Sequence, residues 1–124
     1  MSKGATLVLG ASAKPDRYSN LAVRRLREKG VEVVAVGRRT GTIGDVAIQE
    51  RVPSGIAIDT VTMYMNERNQ AEWEGAILGL SPRRIIFNPG AENPRLASAA
   101  TARGIAVLEA CTLVMLSTGQ YELA

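Results

Sequence analysis

The sequence predicts a Rossmann-like α/β fold, a three-layer doubly wound parallel sheet with helices on both faces. Two observations support this prediction. Short, continuous apolar runs, typical of strands buried on both faces, alternate with segments in which apolar residues recur at helical spacing. Glycines follow several of the helical segments, as expected at helix ends. This alternation favours a parallel sheet, and right-handed crossovers favour the strand order 3-2-1-4-5.

The first part of the chain is predicted to form a strand, a helix and a second strand. Ala5 to Leu9 is a short, mostly apolar run and forms the first strand. Apolar residues at helical spacing predict a helix over Tyr18 to Lys29, which Gly30 closes. Val31 to Val36 is the second buried strand.

The stretch from Gly37 to Gly55 is irregular because glycines and a proline interrupt it. Within it, Ile43-Gly44 and Val46 to Ile48 predict either a short extended piece or a helical turn. The second half is regular again. Its predicted elements are a third strand over Asp59 to Met65, a helix over Glu67 to Leu80 with Asn66 as its N-cap, a fourth strand over Arg84 to Phe87, a helix over Glu92 to Arg103, a fifth strand over Ile105 to Leu108 and a last helix from Thr112 to Leu116.

Composition indicates one soluble domain over residues 1–124, located in the cytoplasm. Hydrophobic residues make up 46% and charged residues 22%, which is ordinary for a globular protein. Cys111 is the only cysteine, so no internal disulfide forms, as suits a reducing compartment. No apolar run has the length of a signal-peptide core or a membrane helix.

The formal net charge of +3 does not indicate a nucleic-acid-binding protein. The basic residues are spread along the chain, and one tryptophan, three tyrosines and one phenylalanine offer little surface for base stacking. The densest basic group lies on the first predicted helix, where a charged face is usually only solvated. We therefore expect neither nucleic acid nor membrane as a partner.

A doubly wound sheet binds ligands beyond the carboxyl ends of its strands, where the winding direction reverses. The unusual loops of this chain fall at that edge. The candidate cofactor-binding residues are Gly10, Ala11, Ser12, Lys14, Arg17, Ser19, Gly37, Arg38, Arg39, Met65, Asn88, Pro89 and Gly90.

The loop after the first strand carries the strongest signal for phosphate. Gly10 lets a pyrophosphate approach the backbone closely, and the helix that follows supplies unpaired N–H groups. Ser12 and Ser19 add hydroxyl donors, and Lys14 and Arg17 add positive charge. The alternative is an ordinary strand-to-helix turn with a polar cap.

The end of the second strand narrows the ligand class. The dinucleotide fingerprint G-x-G-x-x-G is absent, since no glycine follows Gly10 before Gly30. Arg38 and Arg39 stand where an NAD enzyme usually has an acidic residue for the ribose hydroxyl. Arginine there suits a ribose phosphate, as in NADP or the 3′-phospho-ADP of coenzyme A. The alternative is a solvated arginine pair.

Several segments resemble a known family. The opening Gly10-Ala-Ser-x-x-Pro15-x-Arg17-Tyr-Ser19 is similar to that of the small CoA-binding family related to the CoA-binding domain of succinyl-CoA synthetase α-subunits. Later segments resemble that family in the right order. They are Ile43-Gly44, Val61-Thr-Met-Tyr-Met65, Asn88-Pro89-Gly90-Ala91-Glu92 and Ala110-Cys111.

The resemblance implies CoA binding through Gly10, Ser12, Lys14, Arg17 and the loop after the second strand. The chain departs from the family at two places. It has Val36-Gly37-Arg38 where relatives commonly have Val-Asn-Pro, and Asn88-Pro89 where they commonly have glutamine before the glycine.

The chain has few residues suited to catalysis. The chain has no histidine, which removes imidazole acid–base chemistry and a phosphohistidine intermediate, and disfavours a metal site. Cys111 is interpreted as a small buried hydrophobe rather than a reactive thiol. We assign no catalytic residue and favour a binding protein over an enzyme.

Three hypotheses on function stay open. The first is a module that holds CoA or an acyl-CoA, for a protein partner, as a homodimer or as a metabolite sensor. The second is a small NADP-dependent oxidoreductase. The third is the detached CoA-binding subunit of an acyl-CoA ligase. The missing glycine fingerprint favours the first.

Overall fold

The computed structural model describes residues 4–122, which form one seven-stranded sheet with helices packed against it. The strands are β1 (Ala5–Leu9), β2 (Val33–Val36), β3 (Gly41–Ile43), β4 (Val46–Gln49), β5 (Ile58–Met63), β6 (Arg84–Phe87) and β7 (Ala106–Glu109). The helices are α1 (Tyr18–Glu28), α2 (Glu67–Gln70), α3 (Glu74–Gly79), α4 (Pro94–Ala102) and α5 (Thr112–Ser117), with a 3₁₀ turn at Ala71–Trp73.

The sheet is parallel except at one edge, and its order is β3-β4-β2-β1-β5-β6-β7. The prediction of a mostly parallel, Rossmann-like α/β fold is thus confirmed, whereas the strand order 3-2-1-4-5 is wrong. The third predicted strand, β5, pairs with β1 and not with β2, so the five predicted strands run 2-1-3-4-5.

The irregular stretch explains this difference. It forms an antiparallel hairpin of β3 and β4, which turns at Gly44 with φ of +58°, and β4 then pairs in parallel with β2. The hairpin therefore occupies the edge of β2 that the predicted order reserved for the third strand. Of the two alternatives for this stretch, the extended piece is confirmed and the helical turn is wrong.

Several other element boundaries differ from the predictions, three of them with a clear consequence for the fold. The helix predicted over Glu67 to Leu80 is divided by the 3₁₀ turn into α2 and α3. The helix predicted from Glu92 begins at Pro94, because the Asn93 side chain accepts a hydrogen bond from the Leu96 N–H and caps it. The third predicted strand ends at Met63, two residues early, and Tyr64 continues into the loop beyond it.

The core consists of two clusters, and β1 contributes to both. Leu7 and Leu9 are buried in one cluster with Leu96 of α4, and Val8 is buried in the other with Leu26 of α1. Side chains alternate between the faces of a strand, so the two clusters lie on opposite sides of β1. Burial of each such side chain stabilises the fold by about 1.5–3 kcal/mol. Within residues 4–122, no helix is long and apolar enough to cross a membrane.

Candidate functional site

The parallel strands end in one row. Leu9 pairs in register with Val36 and with Met63, Met63 pairs with Phe87, and Phe87 pairs with Glu109. Each of these residues is the last of its strand. The loops that follow β1, β2, β5, β6 and β7 therefore all start at the same edge of the sheet, which we call the carboxyl edge.

Gly10, at the start of the first loop, packs against the neighbouring strand. Its φ is +99°, and a Cβ there would lie 2.9 Å from the carbonyl carbon of Tyr64. The N–H groups of Gly10 and Ala11 both donate to the carbonyl oxygen of Val36, at 2.9 Å each. Glycine is therefore required here by left-handed backbone and close packing, and these two N–H groups already have partners.

Gly37, at the start of the second loop, makes the closest approach at this edge. A Cβ on Gly37 would lie 2.1 Å from the carbonyl oxygen of Ala11, and its N–H donates to the Gln49 carbonyl oxygen at 2.9 Å. No side chain fits in that space. The loops after β1 and β2, predicted to act together, do lie in contact.

A chain of hydrogen bonds holds the first loop in shape. The Ser12 hydroxyl accepts from the Lys14 N–H at 3.1 Å, and the Ser12 carbonyl accepts from the Asn20 side chain at 2.9 Å. Arg24 donates to Asn20 Oδ1 at 2.8 Å and to the Pro15 carbonyl at 3.2 Å. Sequence reasoning missed Asn20 and Arg24, although their four-residue spacing on one helix was a usable signal.

The start of α1 is suited to an anion. Arg17 is its N-cap residue, its side chain makes no capping hydrogen bond, and the first turn carries no acidic residue. The first N–H groups of a helix lack intrahelical partners and sit at the positive end of the helix dipole. Lys14 and Arg17 are exposed beside them. Ser19, by contrast, is buried, so its hydroxyl lies within the fold.

Arg38 and Arg39 follow Gly37 and are exposed. Through the contact of Gly37 with Ala11, this arginine pair begins next to the first loop. The carboxyl edge therefore carries exposed cations on two adjoining loops.

Asn88, after β6, serves the fold. It is 2% exposed, and its side-chain amide donates to the Thr62 hydroxyl at 2.8 Å and to the Met63 carbonyl at 2.9 Å. Its Oδ1 accepts from the Thr112 N–H at 2.8 Å. Asn88 thus ties β5, β6 and the start of α5 together.

Three more residues that were predicted to bind the cofactor, Pro89, Gly90 and Met65, differ from one another in exposure. Pro89 and Gly90 are exposed at the same edge, and the Gly90 N–H donates to Glu92 Oε1 at 3.0 Å. Met65 is buried, and its Cγ lies 3.2 Å from the position of a Cβ on Gly10. The Met65 side chain therefore packs against the start of the first loop.

The Tyr64 hydroxyl is buried and has no hydrogen-bond partner among the described residues. Burial, and to a lesser extent the nearby Cys111, raises the pKa of Tyr64 well above its usual value. A phenol that keeps its proton so firmly is a poor base. Cys111 is half-buried.

Two surface cavities, of about 260 and 290 Å³, lie away from the first loop. Arg27, Val46 and Asp45 are among the residues lining the smaller one, and Arg84 lines the larger. The part of the chain that the structure describes holds no group of three histidine, cysteine, aspartate or glutamate residues able to bind a metal ion.

The carboxyl edge brings together the first loop, the start of α1 and the exposed cations. This arrangement is typical of a Rossmann-like α/β protein and is suited to an anionic ligand. The family follows from comparison with known proteins. The sequence profile of the CoA binding domain family matches residues 5–117. The protein therefore belongs to the CoA binding domain family, which confirms the resemblance seen in the sequence.

Solved structures share this fold. One is the crystal structure of an uncharacterized protein whose sequence is 41% identical to this chain. The match covers 98% of this chain and 100% of that protein's chain, with a TM-score of 0.91. A hypothetical protein from Pyrococcus horikoshii OT3 is 18% identical over 94% of this chain and 83% of its own, with a TM-score of 0.84. A Thermus thermophilus protein, cell-free ID.343, is 20% identical over 95% of this chain and 91% of its own, with a TM-score of 0.82. No curated protein matches the chain.

Proposed function

We propose that this protein binds coenzyme A or an acyl-CoA at the carboxyl edge and has no catalytic activity of its own. The observation that carries the proposal is the pre-shaped first loop, which leads into a helix start with exposed Lys14 and Arg17 beside it. Membership of the CoA binding domain family supports the choice of ligand.

In this proposal the pyrophosphate lies against the N-terminus of α1. The N–H groups of the first turn donate to it, and Lys14 and Arg17 neutralise its charge. Ser12 accepts from the Lys14 N–H through its hydroxyl oxygen, which leaves its O–H able to donate to the phosphate. Ser19 is buried and contributes through its backbone.

Arg38 and Arg39 bind the 3′-phosphate of the adenosine in this arrangement. Both are exposed next to the first loop, and guanidinium groups pair well with phosphate. The pantetheine arm then runs along the edge towards Pro89 and Gly90, which are also exposed. Gly37, Met65 and Asn88 act by holding the loops in place.

The same arginine pair would also suit the 2′-phosphate of NADP, which makes an NADP-binding protein the second candidate. A thermal-shift comparison of CoA, NADP and NAD separates the two. A ligand at a hundred times its Kd stabilises the fold by about 2.7 kcal/mol. We expect CoA to raise the Tm most. A rise with NADP or NAD but none with CoA would overturn the proposal.

Dephospho-CoA tests the arginine pair itself. Loss of a charge-assisted hydrogen bond of roughly 1.5–3 kcal/mol should weaken binding about ten- to a hundredfold. Titration calorimetry with CoA and dephospho-CoA measures the ratio. Equal affinities would show that Arg38 and Arg39 are only solvated.

A further inference from the structure

The strand β7 lies at one border of the sheet, and its burial differs from that of the other parallel strands. Every residue of β1 and of β6 is buried. In β7, by contrast, Ala106 and Glu109 are exposed, and Val107 and Leu108 are half-buried. The apolar run Ala106-Val107-Leu108 is typical of a strand inside a parallel sheet, where both faces are covered, and not of one at its border.

The backbone of β7 is paired on one side. The N–H groups of Ala106 and Ala110 donate to carbonyl oxygens on the β6 side, at 3.0 and 3.1 Å. The N–H and C=O groups of successive residues point to opposite sides of a strand, so those of Val107 and Glu109 point away from β6. Among the described strands none lies on that side. These groups are therefore available to a further strand.

The other border of the sheet is protected. Its strand β3 has three residues, is the outer arm of a tight hairpin and follows the exposed pair Arg38-Arg39. Short border strands and nearby positive charge are common defences against pairing with another chain. β7 contains no lysine or proline and pairs with β6 without a bulge. Of the two borders, β7 is therefore the one suited to pairing.

The charges at the two ends of β7 are opposite. Arg103 lies just before the strand, at the end of α4, and Glu109 is the last residue of the strand. Both are exposed, and neither forms an ion pair with a described residue. Val107 packs against the cluster that contains Leu96 of α4, so Glu109, two residues further on, points to the same face of the sheet as α4. An antiparallel copy of β7 would bring its own arginine towards this glutamate.

The side of α4 that faces this border carries small residues. Arg95 of α4 pairs with Glu74 of α3 at 2.8 Å, so that side of the helix faces the middle of the sheet. Ala97 and Thr101, four residues apart, lie on the opposite side of the helix. If a second sheet joins at β7 with the usual strand spacing of about 4.8 Å, the two α4 helices run about 10 Å apart, which is ordinary helix-packing distance. Small side chains fit between helices at that distance.

We propose that β7 is the interface of a homodimer, in which the β7 strands of two copies pair antiparallel and the two sheets become one. The two-fold axis passes beside Val107, whose N–H and C=O groups exchange hydrogen bonds with Val107 of the second copy. Leu108 then covers Ala106 of the second copy. Arg103 lies diagonally opposite Glu109 of the second copy, within reach of its long side chain. A two-fold interface uses the same surface twice, so opposite charges at the two ends of one strand suit it.

The test measures the oligomeric state of the ligand-free protein. Sedimentation velocity over a wide range of protein concentration should give the mass of two chains at high concentration and of one chain at low concentration. A single chain at every concentration, or assemblies larger than two chains, would overturn the proposal. The first loop takes no part in this interface, so the result is independent of whether CoA binds at the carboxyl edge.

Exchanging the charges identifies the surface. Arg103→Glu and Glu109→Arg each place like charges at both ends of the paired strands and should weaken dimerisation about tenfold or more. The variant with both changes restores opposite charges and should dimerise as the parent does. Arg51→Glu, an exposed arginine after β4, makes the same change of charge elsewhere and should have no effect. Dimers in both single variants at parental affinity, or no recovery in the double variant, would refute this interface.

A cross-link tests the position of the axis. Directly opposite residues of a hydrogen-bonded antiparallel pair have Cα atoms about 5.5 Å apart, which a disulfide can bridge. Val107→Cys should therefore give a covalent dimer on mild oxidation. Thr42→Cys, exposed on β3 at the other border, is the control and should stay a single chain. Equal cross-linking of the two variants, or none of Val107→Cys, would contradict this pairing.

Discussion

The two edges of the sheet treat positive charge in opposite ways. At the carboxyl edge Lys14, Arg17 and the pair Arg38-Arg39 are exposed on loops whose backbone is tightly held. At the opposite edge, where the parallel strands begin and which we call the amino edge, Arg84 is buried and held by its own side-chain contacts. Exposed cations on a rigid loop cost the fold little and can serve a large polyanion, whereas a buried guanidinium depends on hydrogen bonds within the fold because an unpaired buried charge is costly.

Substitutions at the two edges should therefore differ in whether they affect binding or stability. Substitutions of the exposed cations should change ligand binding and leave stability alone. Substitutions that alter the backbone beneath them should change both.

The largest effect is expected at Gly37. In Gly37→Ala the new Cβ would lie 2.1 Å from the Ala11 carbonyl oxygen, so the loops after β1 and β2 must separate. We expect a loss of about 3 kcal/mol in the free energy of unfolding, because backbone cannot yield as a side chain can. CoA binding should be abolished. Chemical denaturation and calorimetry measure the two effects.

The matched control for that variant is Gly75→Ala in α3. A Cβ there meets no described atom within 4 Å, so helix propensity alone predicts a gain of up to about 1 kcal/mol. If Gly37→Ala were as stable as Gly75→Ala, the close contact of the two loops would be refuted.

The next effect concerns Arg17, where the comparison predicts a loss of binding alone. Arg17→Ala removes an exposed guanidinium beside the start of α1. CoA affinity should fall about tenfold or more, while the Tm without ligand stays unchanged. Arg103→Ala is the control and should bind CoA as the parent does. Parental affinity in Arg17→Ala would mean that the pyrophosphate does not lie at this helix.

How much of this site could be predicted depends on the sequence distance between the residues concerned. Gly10, Lys14 and Arg17 could be selected as candidates because a strand, a loop and a helix start are local features, and their role in binding stays a prediction. The strand order could not, because the pairing of the β3–β4 hairpin with β2 is decided by contacts between distant segments. The contact of Arg84 with Tyr121 is likewise long-range and left no local pattern.

For individual residues, too, the structure adds long-range contacts that the local sequence pattern does not contain. Gly10 was predicted to let a pyrophosphate approach the backbone, and this stays a prediction. The structure adds that Tyr64 packs against Gly10, a contact that a single sequence does not reveal. Asn88 was predicted to contact ligand at a strand end, which likewise stays a prediction, and its side chain joins Thr62 and Thr112.

A smaller effect is expected at Arg24, which positions the first loop without reaching a ligand. Arg24→Gln loses the hydrogen bonds to Asn20 and to the Pro15 carbonyl, so the loop becomes less ordered. We expect CoA affinity to fall about threefold with little change in Tm. The control, Arg25→Gln, removes only an exposed pair with Glu28 and should change neither. Equal CoA affinities in the two variants would refute this positioning role.

The smallest effect is a pH dependence at the amino edge. Partial burial raises the pKa of Asp59, but hydrogen bonds from Arg83 and Thr60 and the charges of Arg83 and Arg84 outweigh it, so the pKa lies below its usual value. A carboxyl group whose folded pKa is lowered stabilises the fold above its unfolded pKa of about 3.9 and loses that contribution as the pH falls through the folded value.

Asp59→Asn should therefore destabilise the fold by about 1 kcal/mol at pH 7, and the difference from the parent should shrink as the pH is lowered from about 5 towards 2. Asp45→Asn is the comparison, because the Asp45 side chain is 65% exposed against 14% for Asp59 and its pair with Arg27 is solvated. Denaturation at several pH values measures both. A pH-independent difference for Asp59→Asn would show that its effect comes from packing, and the amino edge would then owe its stability to shape and not to charge.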